Sequence, residues 1–149
     1  MNNKGDKFLK NISKILIRKP AQHIYEAFID PEKIGNFWFS TSSERWKEGK
    51  TIILRYDEYN AEGSIQVLEM VENRMIRFEW GHEHVVTINF IEQNESETIV
   101  EVIEDGFNKE DENLLPYILD NKEGWVYMLC CLKAYIEHGV NDLRASLVK

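Results

Sequence analysis

The sequence predicts an α+β domain in which a curved antiparallel β-sheet wraps around one long C-terminal helix, and two observations carry that class. Residues 51–104 break into five short runs in which apolar and polar residues alternate, separated by turn-forming residues, the period-two signature of strands. After them Trp125, Met128, Leu129, Leu132, Tyr135 and Ile136 recur at three- and four-residue intervals. That spacing sets large side chains along one stripe of an α-helix and leaves Lys133, Glu137 and Asn141 on the other face. A sheet with one apolar face and a helix with one apolar stripe each supply the cover that the other needs.

The elements follow in order. A first strand is expected over residues 11–18, where Ser13, Ile15 and Ile17 alternate with Ile12, Lys14, Leu16 and Arg18 in a segment rich in β-branched residues. Pro20 suits the start of a helix, and Ile24, Tyr25, Ala27 and Phe28 continue at helical spacing until Asp30-Pro31 interrupts. Residues 32–37 read as a second short helix that ends in the aromatic run Phe37-Trp38-Phe39.

The five central strands cover residues 51–57, 63–70, 74–80, 84–91 and 98–104, broken by Asp57-Glu58-Tyr59-Asn60, Glu72-Asn73, Gly81 and Gln93-Asn94-Glu95. Gaps this short join antiparallel neighbours in a meander. Ile76, Phe78 and Trp80 share one face; His84, Val86, Ile88 and Phe90 share another; Val100 and Val102 share a third, while Arg77, Glu79, Asn89 and Glu101 alternate away from them. Residues 107–121 are acidic and then run through Leu114-Leu115-Pro116-Tyr117-Ile118-Leu119. They read as a mobile connection with one helical turn, ahead of the long helix over 121–139. No repeat, low-complexity tract or linker divides the chain, so residues 1–149 read as one domain with an ordered core of about 11–145.

Composition removes several function classes. The net charge is −8, from 26 acidic and 18 basic residues, and an acidic surface repels phosphate, which argues against nucleic acid and against anionic membranes as partners. The chain has no 18-residue apolar run and its first residues lack the apolar core of a signal peptide, so a cytoplasmic location is expected. Cys130 and Cys131 are adjacent on the predicted helix and point roughly 100° apart, a spacing that frames neither a disulfide nor a metal site. They read as two reduced, partly buried thiols. Ser40, Ser42 and Ser43 have no nucleophile-elbow context, and the glycine patterns of nucleotide sites are missing, so no cofactor is expected.

The order of elements resembles a known fold. The stretch Ile17-Arg18-Lys19-Pro20-Ala21-Gln22-His23-Ile24-Tyr25-Glu26-Ala27-Phe28, with Asp30-Pro31 and Phe37-Trp38 after it, resembles the entry to the helix-grip fold of the START-like (SRPBCC) superfamily. Gly63 opening a strand, Phe78-Glu79-Trp80 closing one, Glu104-Asp105-Gly106-Phe107 after the last, and Gly124-Trp125 with Leu129 and Leu132 resemble one branch of it. That branch is related to the C-terminal domain of the activator of the heat shock protein 90 ATPase. The resemblance spans residues 11 to about 140, and its motifs are aromatics, glycines and leucines with no reactive group. It implies a curved sheet gripping the C-terminal helix, with a cavity between them that takes an apolar or amphipathic small molecule in many relatives. Other relatives are cyclases or carry lipids or hormones, and the activator is a co-chaperone of the stress response; the fold does not choose among them. The eukaryotic activator has an additional N-terminal domain for chaperone contact, whereas about ten residues precede the first strand here, so a full co-chaperone role is not expected.

The candidate ligand-lining residues, chosen by alternation and helical spacing, are Trp38, Phe78, Trp80, His84, Val86, Phe90, Val102, Glu104, Trp125, Met128, Leu129 and Leu132. Aromatics at helical spacing are more often plain core than ligand contacts, and Met70, Met75 and Met128 more often fill core gaps. His82 and His84, two apart, could ligate a metal with Glu104, but no third ligand is fixed by spacing, and a polar rim at the cavity mouth is the reading preferred. Glu104 ends an apolar strand face, where desolvation would raise its pKa and suit it to act as a base or to anchor a ligand hydroxyl. Against that stands a carboxylate that reaches solvent or pairs with Arg55 or Arg77. Glu101 falls on the opposite face and reads as surface.

The function expected is therefore the binding of a small apolar or amphipathic ligand between sheet and C-terminal helix. The alternative is a module that contacts a chaperone or its own copy through the sheet face or the 38–48 loop, for which Phe37-Trp38-Phe39 and Trp46 would supply an exposed patch. A cyclase or hydrolase using Glu104 or His84 as base comes third.

Overall fold

The structure, a computed structural model, describes residues 7–81 and 83–148. Among these residues, seven strands form one antiparallel sheet: β1 (Phe8–Ile17), β2 (Thr41–Ser42), β3 (Thr51–Tyr56), β4 (Ala61–Val71), β5 (Met75–Trp80), β6 (His84–Asn94) and β7 (Glu97–Asn108). Their spatial order is β1-β7-β6-β5-β4-β3-β2, so neighbours from β2 to β7 are consecutive and β1 returns to lie beside β7. Two short helices, α1 (Ala21–Ile29) and α2 (Pro31–Ile34), lie between β1 and β2, and α3 (Leu114–His138) follows the sheet. The class is the α+β one that the sequence predicts.

Alternation does the sorting. Ile52 and Leu54, Ile65 and Val67, Ile76 and Phe78, Val86, Ile88 and Phe90, and Val100 and Val102 all turn inward and are buried. Register shifts at Leu9/Lys10, Val67/Glu69 and Glu92/Asn94 interrupt the ladders, and such irregularities bend a sheet locally and increase its twist. The concave face takes α1 through Phe28, whose ring stands edge-on to Phe37, Trp38 and Phe90 at 5.1, 5.8 and 5.6 Å. From α3, Trp125, Met128, Leu129, Cys131 and Leu132 close the core.

Helix α3 also lies along β1, the long edge strand. Lys122 and Lys133 donate to the carbonyls of Ile12 and Leu16, Glu137 accepts from the Arg18 amide at 2.8 Å, and Asn11 donates to the Ile118 carbonyl at 3.0 Å. Backbone groups that a free sheet edge would offer to another strand are thus held by helix side chains.

Three local expectations change. Helix α3 begins at Leu114, well inside the stretch read as a mobile connection. Pro116 does not stop it, because the third helical residue has no intrahelical partner for an N–H and proline loses nothing there. The second short helix stops at Ile34, earlier than 37, where the Gly35 amide bonds back to Lys33. The two-residue β2 lies in the Ser/Thr loop and pairs with Arg55 and Leu54; it is too short to carry a period. Cys130 is exposed and Cys131 buried, and burial pushes the Cys131 thiol up to about 11.

After Gly139, in the left-handed conformation (φ 68°), the chain turns back along the helix. Tyr127 Oη donates to the Leu143 carbonyl at 2.7 Å, and Arg144 donates to the Trp38 carbonyl at 2.6 Å, to Ser40 Oγ at 3.0 Å and to Glu58 at 2.6 Å.

Phe28 is fully buried against three rings. Phe28→Ala is expected to lower stability by about 3–5 kcal/mol in urea denaturation; a loss below about 1 kcal/mol would place Phe28 outside the core.

Candidate functional site

The inward face of β7 ends on a charge. Glu104 is 0 % exposed, and its carboxylate receives Trp80 Nε1 at 3.1 Å, His84 Nδ1 at 2.9 Å, Trp125 Nε1 at 2.8 Å and Asn121 Nδ2 at 3.0 and 3.1 Å. Alternation places Glu104 inward after Thr98, Val100 and Val102. Strand pairing sets Trp80 opposite His84 and Glu104 opposite Val86. Asn121 and Trp125 are four apart on α3 and so share a face. An ionised carboxylate can only accept, so His84 Nδ1 carries the proton of their bond.

The backbone accommodates this cluster. Gly106 has φ 114°, and a Cβ there would stand 3.2 Å from His84 Cδ2 and 3.1 Å from the Glu83 carbonyl, so only glycine lets β7 pass the imidazole. Phe107 and Tyr117 pack on the His84 ring, with centroids 4.6 and 5.3 Å away.

Burial alone would raise the Glu104 pKa, as the sequence suggests. The bonds from His84, Trp125, Trp80 and Asn121 outweigh it and hold the acid below its ordinary 4.5. The expectation of a raised pKa is therefore corrected, and so is the expectation of solvent or an arginine partner. Arg55 pairs with Asp57 and Glu62, and Arg77 with Glu69. Among the described residues no lysine or arginine pairs with Glu104. His84 is buried beneath the cleft rather than on its rim; His82, its suggested metal partner, lies outside the described residues.

Above this cluster opens a half-open cleft of about 620 Å³ between α3, the end of β5, the 37–59 segment and the returning C-terminal residues. Its walls are Phe37, Trp38, Tyr56, Tyr59, Trp80, Trp125, Tyr127, Met128 and Leu147, with Asp120, Asn121, Gly124 and Arg144 among them. Trp80 stacks on Trp125 at 5.0 Å, and Trp38 lies 5.6 Å from Trp125 and 6.4 Å from Trp80. A neighbouring recess of about 400 Å³ shares Tyr56, Trp80 and Asn121 with it. Burial pushes the Tyr56 phenol up to about 12, so Tyr56 stays protonated at neutral pH.

Of the residues chosen from sequence, Trp38, Trp80, Trp125 and Met128 line the cleft. Phe78, Val86, Phe90, Val102, Leu129 and Leu132 are buried in the core, and Glu104 and His84 form the polar cluster. Sequence reasoning missed Tyr56, Tyr59, Asn121, Gly124, Tyr127, Arg144 and Leu147. Asn121 had a signal, one turn ahead of Trp125; Arg144 and Leu147 had none, because a turn at Gly139 brings them back. Phe37, Trp38, Phe39 and Trp46 are buried, so the exposed aromatic patch considered for a protein partner does not form.

A curved antiparallel sheet closed over a long C-terminal helix, with short helices after the first strand and a cleft where helix meets sheet, defines a START-like helix-grip domain. Residues 18–137 match the family described as activator of Hsp90 ATPase homolog 1-like protein, and the chain belongs to that family. The crystal structure of protein SSP2350 from Staphylococcus saprophyticus is similar over 89% of this chain and 95% of that one, with 48% identity and a TM-score of 0.80. The solution structure of the Aha1 dimer from Colwellia psychrerythraea is similar over 88% and 98% of the two chains, with 17% identity and a TM-score of 0.76. DynU16, from the dynemicin biosynthetic locus, matches 91% of this chain but 49% of its own, with 18% identity and a TM-score of 0.76. At these last two identities the likeness shows the fold alone. No curated protein matches the chain. Among the described residues no helix is long and apolar enough to cross a membrane.

Glu104→Gln keeps the shape but turns an amide N–H₂ toward the donors, and is expected to cost about 1–3 kcal/mol. A folded pKa depressed below 4.5 gives stability that is fully present above that pH and is lost as pH falls through the folded value. The urea stabilities of the native chain and the variant should therefore differ most above pH 4.5 and converge in acid. Parallel curves down to pH 2 would show that Glu104 is not held ionised.

Proposed function

We propose that the chain binds a small apolar or amphipathic molecule in the cleft between α3 and the β5 end of the sheet. The observation that carries this reading is Gly124. It sits inside α3, where glycine is less stable than alanine, and it lines the cleft. Apart from its chain neighbours and the adjoining backbone of its own helix, no atom of the described residues lies within 4 Å of where its Cβ would be. Packing gives no reason for a glycine there; room for an occupant does. A volume of about 620 Å³ falls in the range of small-molecule sites, and aromatic walls with a few polar groups match their usual make-up.

Catalysis at Glu104 has less support. The carboxylate is engaged by four side chains and held ionised with no solvent exposure, and a substrate would have to displace one of its donors to reach it. Contact with a chaperone or a second copy has lost the aromatic patch on which it rested.

Native mass spectrometry of the freshly purified chain, compared with the same sample denatured, tests the proposal: a reproducible added mass released on unfolding is expected. Gly124→Trp should fill the cleft and remove that mass while leaving the fold intact by circular dichroism. An added mass that persists in Gly124→Trp would move the site elsewhere. Gly124→Ala should raise stability by about 0.5–1 kcal/mol, measured in urea; a loss would mean that the glycine is required by packing.

A further inference from the structure

The polar groups around the cleft are arranged in one sense. The indole N–H groups of Trp80 and Trp125 and the amino group of Asn121 point away from it, into Glu104. Arg144 is turned to Glu58, Ser40 and the Trp38 carbonyl, and Tyr127 to the Leu143 carbonyl. These donors of the cleft wall are thus engaged by internal acceptors, and what the half-buried Trp80 offers an occupant is ring surface.

The charge beneath the rings has one sign. Glu104 accepts from two indoles, an amide and an imidazole, and among the described residues no lysine or arginine faces it. Its field in this low-dielectric interior therefore reaches the cleft weakly screened. Carboxylates accepting from indole N–H groups also enrich the ring faces, which already attract cations through their quadrupole. Among the described residues the cation that lines the cleft, Arg144, is paired with Glu58 at 2.6 Å. The whole chain adds a net charge of −8.

We infer that the cleft selects amphipathic organic cations, with a quaternary or tertiary ammonium group against the Trp80 ring, which is backed by Trp125, and an apolar body along Trp38, Tyr56 and Met128. The inference deepens the proposed function and rests on it. Glu104 then has two consequences, fixing the indoles and supplying the counter-charge.

The test is isothermal titration calorimetry of the intact chain with three probes of one shape: benzyltrimethylammonium, its neutral carbon isostere neopentylbenzene, and phenylmethanesulfonate. The cation is expected to bind about tenfold more tightly than the neutral isostere, and the anion more weakly than either. Gly124→Trp should abolish binding of all three. Trp80→Leu, at a half-buried strand end, should reduce the preference for the cation over the isostere to about twofold or less. Glu104→Gln should do the same if it folds, and Trp80→Leu decides the matter if it does not. Equal binding of cation and isostere, or tightest binding of the anion, overturns the charge assignment; loss of that binding in Gly124→Trp would still leave the cleft as a ligand site. Binding of no probe overturns the inference, whereas the co-purified mass decides the proposed function separately.

Discussion

A carboxylate held out of reach of solvent organises this domain. Apolar packing is non-directional and would allow α3 several rotations over the sheet. Glu104 narrows them, because a buried ionised oxygen left without a donor costs more than most single contacts contribute. Its donors come from the end of β5, the start of β6 and two turns of α3, so helix, hairpin and last strand meet at one point. Once Asn121 and Trp125 are turned toward that point, Gly124 and Met128 fall on the cleft wall. The cleft's shape is in this sense a by-product of satisfying a charge.

Where the sequence was legible, the reason is local periodicity. Val100, Val102 and Glu104 share a strand face by simple alternation, and Trp125, Met128, Leu129 and Leu132 share a helix stripe by spacing; all are buried as those patterns require. Illegible features depend on partners distant in sequence or on exceptions to local rules. Trp80, Asn121 and Trp125 are between 17 and 24 residues from the carboxylate they serve, and no pattern links them. Desolvation was the right first consideration for the Glu104 pKa, but its sign was reversed by donors that only the fold assembles. The stretch around Pro116 read as a mobile connection, although the helix starts at Leu114, because the register of a helix start is not written in the proline itself.

The cleft has walls of two kinds. Trp80 and Trp125 are held by the buried cluster, whereas Arg144 and Leu147 belong to the residues that return after Gly139 and are fastened through Glu58, Ser40 and a main-chain carbonyl. The first wall cannot change without disturbing the core. The second rests on a few polar contacts at the surface, so its side chains can vary while the sheet and helix stay as they are.

The arrangement at β1 has a consequence for how the chain reaches its fold. β1 pairs with β7, with Phe8 beside Asn108 and Ile17 beside Thr98, and its other edge is held by contacts with α3 residues 107 to 119 positions away. Synthesis proceeds from the N-terminus, so this strand leaves the ribosome long before any of its partners exist. Through most of translation its apolar, β-branched segment has nothing native to pair with, and closing so long a loop is slow. The same contacts that make the finished edge safe are the last to become available, which leaves the nascent chain, rather than the folded domain, as the form most exposed to strand-to-strand association.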